Sequence, residues 1–420
     1  MNSPKKLAGL SGVVIINLAL QFIFQWYVIV SFGAGRQTDA FFGAASLPQF
    51  ILTVLSGSLT MVLVPMLSKY SGDEFLDDAW NYFQAIGLLF LCIAILLQIT
   101  AQWWIGWILP GFKGADYTLA LNLVRIEITG MLFSALLSVV WATHSSRNNF
   151  IWIEITSIIA NCVAFGFLFF TIKRLGIYAA AWGSVLQVIL QVTLLMKIMG
   201  PYRKPDFHSA SFKVAWKKLR PLMAGNAYYK TDTLVDKYLT SRGKSGELTL
   251  LNLAQQLYLV GNSILAKVLV NTMIPELSKA SAEGDEKKYN LLFKKRLFVS
   301  FVCAIIIFAG IVLFGKWLLG FVFAIKKFNL QDVCRLWWLL ILLVGYWVGA
   351  LIGGITSGAF YSKGDTVTPT TIGTIAFTLF VPIKIFCYFK FGITGLAIAI
   401  SSYYVSSFLI QLFWLRKHLS

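Results

Sequence analysis

The sequence predicts an all-α, polytopic membrane protein: about 12 transmembrane helices in two pseudo-symmetric six-helix bundles around a central cavity. Three observations carry this reading. Of 420 residues, 58% are hydrophobic and only 13% are charged, with a mean hydropathy of +0.73, whereas soluble domains carry about 25% charged residues. The apolar residues form continuous runs long enough for a hydrocarbon core of about 30 Å, without the two-residue alternation of barrel strands. A motif in the first half, Val64-Pro65-Met66-Leu67-Ser68-Lys69 followed by Ser71-Gly72-Asp73-Glu74, also recurs in the second as Ile274-Pro275-Glu276-Leu277-Ser278-Lys279 followed by Gly284-Asp285-Glu286.

The spans follow in order. No charge lies between Lys6 and Arg36, nor between Asp39 and Lys69, which gives the first two helices. The first run exceeds the apolar core of a signal peptide and lacks a small-residue cleavage pattern, so it is read as a retained helix. Further spans lie near 80–101, 122–142, 151–170 and 176–199, completing six. The second half gives spans near 221–240, 248–277, 297–323, 336–361, 367–388 and 392–415. A fainter repeat sets Gly176-Ile177 with Ala181 against Gly392-Ile393 with Ala397, at the start of the last span of each set.

Between the halves, residues 200–220 carry Arg203, Lys204, Lys213, Lys217, Lys218 and Arg220 against the single acid Asp206. Lys and Arg accumulate in short cytoplasmic loops, so this loop and, with Lys5 and Lys6, both termini are expected inside. The organisation is a bundle over 1–199, a basic cytoplasmic loop over 200–220 and a second bundle over 221–420. The net charge of +18 is spread through such loops and reads as a topology signal, not a nucleic-acid surface. Cys92, Cys162, Cys303, Cys334 and Cys387 stand singly, which argues against disulfides and zinc.

Charges inside spans are costly and by default face a cavity or a partner. The seventh span is the most polar, with Tyr229, Lys230, Asp232, Asp236 and Lys237. Asp232 and Asp236 share one helical face, and Lys230 and Lys237 share another. Such a helix suits a hydrated cavity, its carboxylates taking a proton or cation and its lysines meeting an anion; the other reading is an aqueous end that pairs with itself. Lys267, flanked by apolar residues in the eighth span, is the strongest single candidate for an anion contact. Arg125 and Glu127 at the start of the fourth span, Glu154 at the start of the fifth, Lys316 and Lys384 read as interfacial or paired. His144, His208 and His418 are far apart, and the sequence has no Walker loop, HExxH or GxSxG, so no catalytic set and no resident cofactor is expected. The class is a transporter, not an enzyme.

Phe32-Gly33-Ala34-Gly35, Thr38-Asp39-Ala40-Phe41-Phe42, Leu47-Pro48 and Val64-Pro65 resemble the opening of the MviN/MurJ family of lipid-linked saccharide flippases. Val235-Asp236-Lys237-Tyr238-Leu239, Leu251-Asn252-Leu253-Ala254 and the second motif copy resemble that family's seventh and eighth helices. The resemblance implies the twelve-helix, two-bundle core shared with polysaccharide exporters and multidrug antiporters. It also implies alternating-access translocation of a polyprenyl-diphosphate-linked saccharide, such as the peptidoglycan precursor lipid II or another cell-wall glycan precursor, across the bacterial inner membrane. Peptidoglycan-precursor flippases of the family usually carry two further C-terminal helices, which this chain is too short to contain.

The resemblance assigns Asp39 to the family's acidic position. Where the family has diphosphate-meeting arginines, this chain has Leu18 and Phe24 in the first helix, Leu52 and Thr53 in the second and Gln256 in the eighth. Lys267, Lys230, Lys237 and Gln256 are therefore the expected substrate contacts, and Asp39, Asp232 and Asp236 the expected coupling or gating groups. Coupling to membrane potential, H+ or Na+ is expected. The alternatives are an ion-coupled multidrug antiporter of the same fold, and an inactive scaffold docking cell-envelope glycan synthesis proteins.

Overall fold

The computed structural model describes residues 4–207, 209, 212–217, 219, 228 and 230–419, and its regular structure among them is helical throughout. In chain order the helices are α1 (Pro4–Phe32), α2 (Arg36–Ala44), α3 (Ser46–Leu67), α4 (Gly72–Ile108), α5 (Ala115–Ser146), α6 (Phe150–Leu175) and α7 (Tyr178–Leu195). After a 3-10 turn (Met196–Met199) come α8 (Asp232–Ser241), α9 (Glu247–Ala282), α10 (Glu286–Phe323), α11 (Leu330–Leu342), α12 (Val344–Ser362) and α13 (Val367–Leu419).

Nine of the described helices are long and apolar enough to cross a membrane, or ten when α11 and α12, bent by 44°, form one span. At about 1.5 Å per residue, α13 is more than twice the thickness of the hydrocarbon core. It divides at Gly392, whose φ of 62° and ψ of −148° are not helical. Gly176, its counterpart in the repeat, has φ 58° and ψ −138° and ends α6. Both halves thus turn into their last span through the same left-handed glycine, a conformation a Cβ would strain. With α13 counted as two spans and α8 standing for the seventh, the architecture is all-α with about twelve spans in two bundles. Of the expected seventh span, residues 221–227 and Tyr229 lie outside the described residues.

Several boundaries differ from the sequence reading for physical reasons. The second span is not one rod. It parts at Ala45, because Pro48 has no N–H for the Ala44 carbonyl and its ring crowds that carbonyl. The third and ninth spans begin well before their apolar stretches, at Gly72 and Glu286, since acidic first turns (Asp73 and Glu74; Glu286) complement a helix N-terminus. Asp285 caps α10 by accepting from the Lys288 N–H at 2.9 Å. Each copy of the sequence repeat therefore ends one helix and starts the next.

Packing divides the chain elsewhere than the repeat does. One compact unit comprises Met1–Phe32 and Arg36–Arg242, the other Gly33–Gly35 and Gly243–Ser420. In the first, α5 is the hub, packed on α2, α3, α4 and α7, while α6 joins α1 to α7. Leu137, Val140, Val192 and Leu195 form part of its core between α5 and α7. In the second, α12 is the hub, packed on α9, α10 and α13 around Met273, Leu277, Tyr289, Ile355 and Ala359. The hub is the fourth span of each set.

The segment after α7 is tied back onto α4. The Trp80 indole donates to the Met199 carbonyl at 2.9 Å, Gln84 donates to the Arg203 carbonyl at 2.8 Å, and the Asp206 N–H donates to Asn81 at 2.7 Å. Arg203 donates to Asp77 and Asp73 on successive turns, and those hydrogen bonds hold its guanidinium above its ordinary pKa.

The hub α12 approaches α13 through small residues. A Cβ on Gly349 would lie 2.7 Å from the Tyr404 backbone and Cβ, whereas one on Gly353 would meet only Phe408 Cβ at 3.9 Å. Gly349→Ala is expected to destabilise the protein by about 1–3 kcal/mol through overpacking, and Gly353→Ala to change stability by less than about 0.5 kcal/mol. Unfolding of the two purified variants in detergent checks this, and equal losses would refute the close approach.

Candidate substrate and coupling site

The break between α2 and α3 sets up the polar centre of the first unit. Pro48 offers no N–H to the Ala44 carbonyl, while Ala45 keeps its backbone bonds to Phe41 and Gln49. Ser46 Oγ–H takes the Gly43 carbonyl at 2.6 Å. The other donors come from the seventh span. Lys237 Nζ donates to the Phe42 carbonyl at 3.1 Å and Lys230 Nζ to the Thr53 carbonyl at 2.7 Å. The two ammonium groups are thus anchored on either side of Pro48, which requires them to share a helical face, as their seven-residue spacing implies. α8 itself packs against α2, α3 and α4.

Carboxylates accompany them. Asp39 is buried, 1% exposed, in the first turn of α2, where the helix dipole favours a negative charge. Asp232 and Asp236 are buried on α8. Glu127 of α5 acts electrostatically on Lys237. The sequence reading put Glu127 at the start of the fourth span; α5 begins at Ala115, which puts it more than three turns inside the helix.

A second polar group joins α1 to α6. Asn17 Nδ2 donates to Glu154 Oε2 at 2.8 Å, while Asn17 Oδ1 accepts from Asn161 at 2.6 Å and Ser157 at 3.0 Å. A search for charges passes over Asn17; the signal available was an amide inside an apolar helix, which in lipid needs partners. Beside the end of α1, Arg36 lies 3.9 Å from Asp116 and over the Phe112 ring at 5.6 Å.

Of the expected substrate contacts, Lys230 and Lys237 come together on α2 and α3 of the first unit with Asp39, Asp232 and Asp236 in the same unit. Gln256 belongs to α9 of the second unit and is half-buried there. Lys267 also lies on α9, and its side chain is outside the described residues. Among the described residues no group of three or more His, Cys, Asp or Glu converges as a metal site would require. The described cysteines are all free.

The family model of the lipid II flippase MurJ matches residues 28–420. The chain belongs to the MurJ family. Among curated MurJ relatives, the lipid II flippase MurJ of Burkholderia cenocepacia is 23% identical over 392 residues, covering 89% of this chain and 76% of that protein. The probable lipid II flippase MurJ of Buchnera aphidicola subsp. Acyrthosiphon pisum is 24% identical over 418 residues, covering 96% and 81%. A solved lipid II flippase MurJ in an inward closed conformation superposes with a TM-score of 0.84 at 23% identity, covering 97% of this chain and 87% of that one. An inward-facing MATE family multidrug resistance transporter of the MOP superfamily reaches 0.77 at 15% identity over 96% and 98%. These structural likenesses concern the fold. In MurJ-family terms, Thr53, a position where the resemblance places an arginine, here offers its carbonyl to a lysine from another helix.

Lys237 is half-buried and gives the Phe42 carbonyl its donor at 3.1 Å, and losing a hydrogen bond to a charged group costs about 1.5–3 kcal/mol. Lys237→Met is accordingly expected to destabilise the protein by about that much, and, because Glu127 acts electrostatically on Lys237, the loss is expected to be smaller when Glu127→Gln is already present. A double-mutant cycle on unfolding in detergent measures the coupling; strictly additive losses would show that Glu127 and Lys237 act independently.

Proposed function

We propose that this chain is a flippase that carries a polyprenyl-diphosphate-linked saccharide, lipid II or a related cell-envelope glycan precursor, across the bacterial cytoplasmic membrane by alternating access. The family match over residues 28–420 carries this conclusion. The site supports it chemically. A diphosphate needs cations inside the membrane, and Lys230 and Lys237 supply two on one unit, each held by a carbonyl that leaves the ammonium with donors to spare. Lys is a compact point charge, less selective in geometry than the forked guanidinium, and suits a contact to any phosphate oxygen. Lys267 and Gln256 are further substrate contacts in this reading.

Energy enters through charge. Moving one elementary charge through 100 mV is worth about 2.3 kcal/mol, so an interior-negative potential drives an anionic head group outward. Asp39, Asp232 and Asp236 are the groups at which an H+ or Na+ would couple to the cycle. The basic loop over 200–220 faces the cytoplasm, and both termini lie on that side. The protein's partners are the lipid-linked saccharide and the bilayer around it, with cell-envelope glycan synthesis proteins upstream and downstream.

Depletion of the protein in its native host, followed by mass spectrometry of polyprenyl-diphosphate saccharides, is expected to reveal build-up of the transported species. Lipid II would identify a peptidoglycan flippase, another glycan a dedicated exporter of that glycan, and no build-up would overturn the reading in favour of a scaffold or antiporter. In the same host, Lys230→Met is expected to cause build-up comparable to depletion at unchanged protein level, and Lys230→Arg to cause less.

A further inference from the structure

The first helix carries an amide face that the lysine site does not use. Between Lys6 and Arg36 the chain holds no charge, yet Asn17, Gln21 and Gln25 recur at every fourth position and so line one side of α1. Asn17 is buried and tied to α6: it donates to Glu154, and its Oδ1 accepts from Asn161 at 2.6 Å, from Ser157 at 3.0 Å and from Gln21 Nε2 at a long 3.4 Å.

Gln21 is exposed, and this loose bond is the one its side chain makes among the described residues. A second N–H and the amide oxygen are left over. They do not face lipid. At about 100° per residue, the exposed Ile15, Ile16 and Ile23 point at least about 120° away from Gln21 around α1, so the apolar exposed side of the helix is the other one. Hydrocarbon would also penalise an amide with spare donors and acceptors. Gln25, one turn further, is half-buried on the same face, and Leu18 and Phe24, three residues to either side of Gln21, add no cation to it.

We propose that Gln21, with Gln25 beside it, reads the uncharged saccharide of the transported head group through hydrogen bonds to its hydroxyl or acetamido groups, and that Asn17 is the positioning residue that holds Gln21 in place. This assignment rests on the flippase reading and divides the head group within the first unit: the diphosphate goes to Lys230 and Lys237, the sugars to α1. The relay from Gln21 through Asn17 ends on the Glu154 carboxylate, which disfavours an anion on this side but not a neutral sugar. A loosely held amide can turn either end to its ligand, which suits a sugar hydroxyl that both donates and accepts.

Equilibrium binding to the purified full-length protein separates the two parts of the head group when measured with lipid II and with undecaprenyl diphosphate, which carries no saccharide. Gln21→Leu is expected to weaken lipid II binding by about three- to tenfold, the worth of a neutral hydrogen bond, and to leave undecaprenyl diphosphate binding unchanged. Gln25→Leu is expected to act in the same direction, whereas Lys230→Met is expected to weaken both lipids. Asn17→Ala is expected to weaken lipid II binding in the parent and to have no further effect once Gln21→Leu is present; a merely structural role would weaken both lipids in either background. The proposal is overturned if Gln21→Leu leaves lipid II binding intact or weakens both lipids equally, or if the parent binds lipid II no more tightly than undecaprenyl diphosphate. Loss of both lipids in Lys230→Met with a silent Gln21→Leu would strike the saccharide contact and keep the flippase reading. A parent that bound neither lipid better than undecaprenol would refute that reading itself.

Discussion

The hydrocarbon interior offers no water to a backbone, so any carbonyl freed from a helix there must find a donor within the protein. Pro48 leaves the Ala44 carbonyl without its ladder donor at the α2–α3 break. The seventh span brings two ammonium groups to this pair of helices, one to the Phe42 carbonyl beside the break and one to the Thr53 carbonyl about two turns into α3, and much else depends on those bonds. They hold two lysines within a membrane domain and tie α8 to α2 and α3 of the first unit.

The same bonds bear on how a MurJ-family chain can lack arginines at positions 18, 24, 52 and 53. Charge and position are separable properties. An arginine at 53 would present its guanidinium from the second span, whereas Lys230 delivers an ammonium to that residue's carbonyl from a different helix. On the proposed reading of Lys230 as a substrate contact, a point charge stands in for a planar fork. Selectivity for the saccharide would then rest more on the shape and neutral polar groups of the site than on bidentate phosphate recognition.

Much of the fold was legible in the sequence because the rule that writes it is simple: about twenty apolar residues per crossing and polar residues between. Gly176 and Gly392 could be matched across the halves from their neighbours alone, and the left-handed turn they both make gives the physical reason. Pro48 stands in the open in the sequence, although whether a proline kinks or parts a helix depends on packing. The sequence is silent on which helix becomes a hub, because the contacts of α5 and α12 come from every direction and leave no periodic stripe. In the site, the shared face of Lys230 and Lys237 followed from helical arithmetic. Their acceptors did not, since every residue has a carbonyl. Asn17 was missed because an amide adds no charge, and the depth of Glu127 because α5 begins in polar residues that the apolar stretch does not include.

One mismatch between the two halves has a consequence for how such chains can recombine. The repeated motifs and the basic loop place the joint left by duplication within residues 200–220, yet the first compact unit runs on to Arg242 and retains α8. An exchange of halves between two relatives at the ancestral joint would deliver a foreign α8, whose lysines must fit carbonyls on a native α2 and α3. A crossover at Gly243 would keep donor and acceptor from the same parent. Family lineages assembled by such exchanges should therefore carry their inheritance boundary after the seventh span, one helix later than the symmetry of the sequence suggests.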